Sequence, residues 1–361
     1  MRALSAAPGG RLRWRTVPVP PGPEPPGAIV HPIAIATCDM DPLIAMGAAP
    51  FPLPLHLGHE CVAEVLSVGA EVTTVRPGQR VIVPFQISCG ACEACRSGRT
   101  GNCTGVPPVS MFGFGLAGGH WGGAYSDQLA VPYADAMLVP LPDGIDPVTA
   151  ASVADNVLDG YRHAAPRLAS LLEHDPEAEM LLVGAVSQSS RFSGSVPLYA
   201  GLAARALGGR HVFLADSRPH VREHAERLGI QAFSPKELRG QPRRPVVADV
   251  SASPSGLQAA LASTAPDGVC TSSGMLHRTT RIPTLELYSR NVTLSISRIH
   301  ARALIPPVLD LIVEGKLRPQ EVTTTVAPLD DAPDVLREHY LGGGTKTILT
   351  ALAALPPGPI A

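Results

Sequence analysis

Apolar runs at residues 28–36, 60–67, 80–84 and 126–131, separated by proline and glycine turns, predict an irregular and mostly β region up to about residue 147. There the period changes. A helical stretch to residue 169 is followed by strand 180–183, helix 196–207, strand 211–215 and helix 219–228. The alternation continues through strand 246–250, helix 255–262, strand 268–271 and strand 292–297. Strands alternating with helices at this spacing predict a parallel sheet covered on both faces, a doubly wound α/β arrangement. A helix near 305–314 and a β-rich stretch from 322 to 350 read as the chain returning to its first part, and the proline-rich segments 18–26 and 356–359 as loops. The expected fold is α/β with two domains, one from 1–150 with 300–361 and one from 151–299.

Composition narrows the function more than the fold. A chain of 361 residues exceeds what one hydrophobic core supports, in line with two domains. Apolar residues are 45% of the sequence, yet no unbroken run approaches the roughly 18 that a membrane span needs. The formal charge of −2 and the scattered arginines leave no electrostatic footprint for nucleic acid or an anionic membrane, so the expected partner is a small molecule. Residues 1–10 carry no secretory pattern, which gives a cytoplasmic expectation. Lysine occurs only at Lys236, Lys316 and Lys346, a scarcity that reads as genome composition and not as site chemistry.

Four of the seven cysteines, Cys89, Cys92, Cys95 and Cys103, fall within fifteen residues as C-x2-C-x2-C-x7-C. Their surroundings are Gly, Glu, Arg, Ser, Thr and Asn, which do not suit buried thiols on an apolar strand. Four thiolates this close can wrap one tetrahedral zinc with no open position, hence a structural site in a lobe spanning 88–104.

That lobe, following Gly58-His59-Glu60 and preceding an α/β half, resembles the zinc-containing medium-chain alcohol dehydrogenases over nearly the whole chain. The resemblance implies a GroES-like catalytic domain built from both chain ends, a central Rossmann domain, and an active site in the cleft between them. It implies two zinc ions per chain. Cys38 and His59 match the family's first two catalytic zinc ligands, and Asp155 resembles the aspartate that the formaldehyde-dehydrogenase-like branch uses as the third. Asp155 also reads as a helix cap or an exposed polar residue. Glu60 resembles the glutamate behind the metal that can approach as an alternate ligand, so either Glu60 or Asp155 completes the shell. Asp41 matches the carboxylate that orients the histidine ligand. Cys61 and Cys270 read as small core residues, and His56 as a turn residue.

The chemistry that such a metal supplies is polarisation of an alcohol or carbonyl oxygen, with a nicotinamide as the hydride partner. The cofactor loop is irregular. With Gly194 as the middle glycine of the fingerprint, Asp216 falls 22 residues later, the separation the family shows; Phe192 and Pro197 then replace the first and third glycines. Gly184, Gly194, Ser195, Val196, Asp216 and Arg218 are the candidate dinucleotide residues. Asp216 favours NAD over NADP by accepting from a free ribose hydroxyl, while Arg218 keeps NADP open. Arg191 reads either as a pyrophosphate contact or as a solvated loop residue.

Where family members that oxidise alcohols carry a relay hydroxyl, this chain has Met40, which has no proton to pass. His300 is a substitute by residue type or a surface histidine; Trp121 and Phe114 read as pocket wall or as packing. The expected function is zinc-dependent hydride transfer between an alcohol or carbonyl and NAD(H). The alternatives are a same-fold enzyme with reductive or redox-neutral chemistry, and a non-catalytic zinc-stabilised binding protein. The resemblance also implies a homodimer or homotetramer, with strand 292–297 as a joining edge.

Overall fold

The computed structural model describes residues 1–49, 51–115, 120–274, 279–342 and 344–351, so the proline-rich stretch 356–359 lies outside the described residues. The chain divides into two compact units, one of residues 1–155, 300–309 and 323–361, the other of 156–299 and 310–322.

The first unit is mostly antiparallel β. Its larger sheet runs Thr325–Pro328, Thr347–Thr350, Ala28–Ala36, Glu60–Val68, Arg80–Val83 and Val139–Pro140, with Leu129–Val131 also paired to Ala28–Ala36. Pro32, which has no N–H to give a ladder, sits where the register of Ala28–Ala36 against Glu60–Val68 shifts. A smaller sheet joins Arg2–Ala7 to Arg11–Thr16 and Leu55–His56, a hairpin that the apolar pattern did not predict. The stretch expected to be β-rich from 322 to 350 contains the helix Ala332–Tyr340, whose buried Ala332, Leu336 and His339 recur at helical and not strand spacing.

The second unit is a six-stranded sheet, parallel throughout, in the order Gln231–Phe233, His211–Ala215, Glu179–Val183, Arg244–Asp249, Thr264–Ser272, Thr293–Ile296. In chain order this is the doubly wound arrangement of dinucleotide-binding domains, with the sequence reversing direction at Glu179–Val183. Continuous burial explains the apolar run of that strand: Met180, Leu181, Leu182 and Val183 are fully enclosed, each stabilising the fold by roughly 1.5–3 kcal/mol. The segment 310–322 belongs here, with the His224 Nε2 atom 2.7 Å from the Glu321 carbonyl.

Helix Asn156–Leu172 buries Val157, Leu158, Ala164 and Leu168 along one stripe. His163 lies on the same buried face with its Nδ1 atom 2.8 Å from Thr271 Oγ1, and burial pushes its pKa down to about 3. A histidine held neutral in the fold and free to protonate when unfolded stabilises fully above about pH 6.5; that contribution is lost as pH falls toward the folded value. Between these limits the second unit should lose about 1.4 kcal/mol per pH unit from this group. Urea titrations at pH 7, 6, 5 and 4 test this. An unchanged pH slope in His163→Gln would contradict the assignment.

Candidate metal centres and cofactor loop

Three chain segments of the first unit converge on one buried cluster. Cys38 and Asp41 follow the strand Ala28–Ala36, His59 and Glu60 open the strand Glu60–Val68, and Asp155 ends the short 3-10 turn Ala151–Ala154. Gly58 makes the approach feasible: its φ is +93°, and a Cβ there would stand 2.6 Å from the Tyr125 backbone nitrogen.

Donor atoms of Cys38, His59, Glu60 and Asp155 lie within 4.8 Å of one another. Asp155 Oδ2 is 3.5 Å from Cys38 Sγ and 3.4 Å from His59 Nε2. Ligands sharing one tetrahedral zinc, with bonds of about 2.0–2.3 Å, stand about 3.3–3.5 Å apart, so these separations suit a common ion. At 8% exposure Asp155 is not the exposed polar residue of the alternative reading. Asp41 faces both sides of the pair, its Oδ2 accepting from the Cys38 backbone N–H at 2.9 Å and its Oδ1 standing 4.0 Å from His59 Nδ1. Both ring nitrogens of His59, Asp41 Oδ1 and Glu60 Oε1 are buried without a hydrogen-bond partner among the described residues. Burial, and then the charges of Asp155, Glu60 and Asp41, push the Cys38 thiol well up. Burial likewise raises Glu60 well above the usual carboxylate range, against the pull of Lys346. Crowded anionic donors with unmet lone pairs are what a divalent cation would stabilise, reversing these shifts.

Lys346 is a site residue that sequence reasoning passed over. Its ammonium is fully buried, 2.9 Å from Glu60 Oε2, and it also donates to the Thr37 carbonyl. The available signal was its position just ahead of the final strand in a chain almost devoid of lysine. Aromatic rings enclose the histidine: Phe114 and Phe85 lie 4.6 Å and 5.9 Å from the His59 ring, and Phe51 packs 4.9 Å from Phe114. Phe114 is thus wall to this cluster. Trp121 instead lines a separate cavity of about 190 Å³ with Met1, Val17 and His56.

The second cluster is local. Sγ atoms of Cys89, Cys92, Cys95 and Cys103 fall within 4.8 Å, and Cys92 and Cys103 are 3.9 Å apart, near the ~3.8 Å edge of a zinc–thiolate tetrahedron. Backbone N–H groups of Cys89 and Cys95 donate to Cys103 Sγ and Cys92 Sγ. Backbone donation from Thr104 and Cys95 brings the Cys92 thiol down to about 5, whereas burial takes Cys95 up to about 12. His300 Nδ1 accepts from the Gly101 N–H at 3.2 Å, which ties it to this lobe. Cys61 and Cys270 are buried, each raised to about 12 by burial.

In the second unit, the strand Glu179–Val183 leads through a turn to Gly194, left-handed at φ +95°, which opens the helix Ser195–Ala206. Ser195 Oγ donates to Asn156 Oδ1 at 3.0 Å, and Val196 is buried in the first helical turn. Asp216 is fully enclosed, and a Cβ on Gly184 would meet its Oδ2 at 2.3 Å. Arg218 pairs with it through Nη2 at 2.7 Å and Nε at 2.9 Å.

The match to known proteins is to one family on both halves. The model of the alcohol dehydrogenase GroES-like domain covers residues 24–143, and that of the zinc-binding dehydrogenases covers residues 195–314. The chain belongs to the zinc-containing medium-chain dehydrogenase family. Among its relatives, a probable zinc-binding alcohol dehydrogenase of Mycobacterium tuberculosis is 29% identical over 92% of this chain and 83% of its own length. A glutathione-independent formaldehyde dehydrogenase of Pseudomonas aeruginosa is 29% identical over 62% of this chain and 55% of its own. The solved alcohol dehydrogenase of Thermus sp. ATN1 shares the fold at a TM-score of 0.84, with 24% identity over 97% of this chain and 99% of that one. This dehydrogenase is therefore an alcohol-dehydrogenase-like oxidoreductase acting on small molecules, and the family supports zinc and a nicotinamide cofactor. Among its described residues no helix is long and apolar enough to cross a membrane.

Proposed function

We propose that the chain is a zinc-dependent oxidoreductase that transfers hydride between an alcohol or carbonyl substrate and a nicotinamide dinucleotide, with Cys38, His59 and Asp155 holding the catalytic ion. The supporting observation is the pair of separations from Asp155 Oδ2, 3.5 Å to the thiol and 3.4 Å to the imidazole, together with the His59 ring nitrogens, which have no hydrogen-bond partner among the described residues. One thiolate, one imidazole and one carboxylate leave a fourth position for substrate, the arrangement of a catalytic rather than a structural zinc. When bound, the ion would polarise the substrate oxygen. Asp41 Oδ1 stands 4.0 Å from His59 Nδ1 and lends it a neighbouring negative charge without a hydrogen bond, Lys346 holds Glu60 in reserve behind the cluster, and Phe51, Phe85 and Phe114 keep water from the imidazole side. The four thiolates of the lobe hold a second, structural ion.

Met40 is buried and its backbone N–H donates to Cys38 Sγ at 3.4 Å, so no hydroxyl follows the ligand to carry a proton outward. The proton that alcohol oxidation releases, and that carbonyl reduction takes up, must therefore travel through another group in either direction. NAD(H), expected from Asp216, requires a carboxylate free to accept from the ribose. A homo-oligomer joined at the edge strand Thr293–Ile296 belongs to the same proposal; Leu285 and Tyr288, on the preceding helix, are 78% and 81% exposed.

The test is metal analysis with turnover of aldehyde, ketone and alcohol panels before and after chelation. Two zinc ions per chain, with turnover lost on chelation and restored by zinc, is the expected result. Undiminished turnover of metal-free protein would sink the proposal.

A further inference from the structure

Cations that lie far apart in the sequence meet at one hollow of the second unit. A cavity of about 520 Å³ is walled by the last turns of helices Ser195–Ala206 and Pro219–Arg227 and by the segment 316–321, and Arg205, Arg227, Lys316 and Arg318 line it together. Among the described residues Glu321 is the one carboxylate of its wall, and Leu202 and Leu228 give it an apolar flank. The walls are tied to one another. His224, 5% exposed, holds the Glu321 carbonyl at 2.7 Å through Nε2, and Arg205 Nη1 donates to the Gly229 carbonyl at 3.1 Å. Leu317, Pro319 and Val322 anchor the third wall by burial, which turns the alternating Lys316 and Arg318 outward.

Local structure accounts for part of this charge only. A basic residue in the last turn of a helix complements the helix dipole, and Arg205 also caps the end of the chain reversal at Gly229. The same reasoning covers Arg227 as a charge, yet its guanidinium has no side-chain hydrogen bond or ion pair among the described residues. Lys316 and Arg318 come from a third segment, where no dipole calls for them. Arg318 faces Glu321 through Nε at 3.2 Å and keeps its two Nη groups, while Lys316 Nζ lies 2.8 Å from Glu314. Like charges gathered in one concavity repel one another, and a bound anion offsets that repulsion.

We infer that this cavity binds a compact polyanion, a small molecule carrying several phosphate or carboxylate groups, with Arg227, Arg318 and Lys316 as its principal partners. Its volume falls in the range of small-molecule sites, roughly 300–1,000 Å³, and exceeds what a single phosphate fills. Guanidinium forks suit the oxygens of either group. The site is separate from the candidate dinucleotide turn: Arg205 lies at the far end of the helix that Gly194 opens, roughly 17 Å along its axis. The inference therefore stands whether or not that turn holds a dinucleotide.

Calorimetric titration of the zinc-loaded protein with inorganic tripolyphosphate and, separately, with citrate at low ionic strength tests this without reference to turnover. Saturable binding of either at one site per chain, weakening as salt is added, is expected, and the tighter of the two names the charged group. In the double variant Arg227→Ser with Arg318→Ser, both changes at exposed positions, affinity should fall about tenfold or more through lost charge-assisted hydrogen bonds. Hydrogen exchange on the wild-type protein supplies the location: the bound anion should slow exchange in 205–209, 224–229 and 316–321. Absence of saturable binding by both anions would overturn the site. So would affinity unchanged in the double variant, or protection centred on 184–195, which would place the anion at the dinucleotide turn instead.

Discussion

Cys38→Ala is expected to fold, to keep the ion of the cysteine lobe and to lose the other, so that metal content falls from two zinc ions per chain to one. The lobe should be untouched, because its four thiolates come from one fifteen-residue segment and share no ligand with the buried cluster. Without the thiolate, the pair His59 and Asp155 must hold the cation with help only from Glu60, which Lys346 already engages at 2.9 Å. A metal-polarised oxygen contributes several kcal/mol of charge stabilisation, so turnover should fall on the order of 10³-fold. Elemental analysis and steady-state kinetics on the same sample check both halves. Two ions retained in the variant would mean that Cys38 is not a ligand.

Lys346→Met is expected to destabilise the first unit by about 3–5 kcal/mol, because removing one partner of a buried pair strands the other charge. Both side chains are fully enclosed, and Glu60 Oε1 already lacks a hydrogen-bond partner among the described residues. The double variant Glu60→Gln with Lys346→Met removes the stranded charge and should recover most of the loss. Denaturation of the metal-free proteins separates the two effects. A double variant as unstable as the single one would show that Lys346 acts through the Thr37 carbonyl and not through Glu60.

What could be read from the chain follows the distance over which each feature is encoded. The cysteine lobe is specified by spacing within one loop. Alternating helices and strands of the second half come from local periodicity, and the six-stranded parallel sheet follows that reading. The strand Gln231–Phe233 was missed because three partly exposed residues make no apolar run. The helix Ala332–Tyr340 was hidden because its apolar positions are few and interrupted by Pro333, Asp334, Arg337 and Glu338. Cys38, His59 and Asp155 were found through motifs, and their convergence is tertiary. Lys346 had no motif, and its partner lies 286 residues away. Asp216 was located by register, but its pairing with Arg218 depends on a rotamer and on the loop above it, which no spacing encodes.

The Glu60–Lys346 separation also has a meaning in time. At about 5–20 residues per second, the ribosome takes roughly 15–60 s to travel from one to the other. Throughout that interval the nascent cluster lacks its internal cation, although Cys38, His59 and, later, Asp155 have been made. The whole of the segment 156–299 emerges during the delay and can complete its sheet first. Synthesis itself therefore imposes an order of assembly: the charge-balanced form of the buried cluster arises only when the strand Thr347–Thr350 pairs with Ala28–Ala36 and carries Lys346 into place.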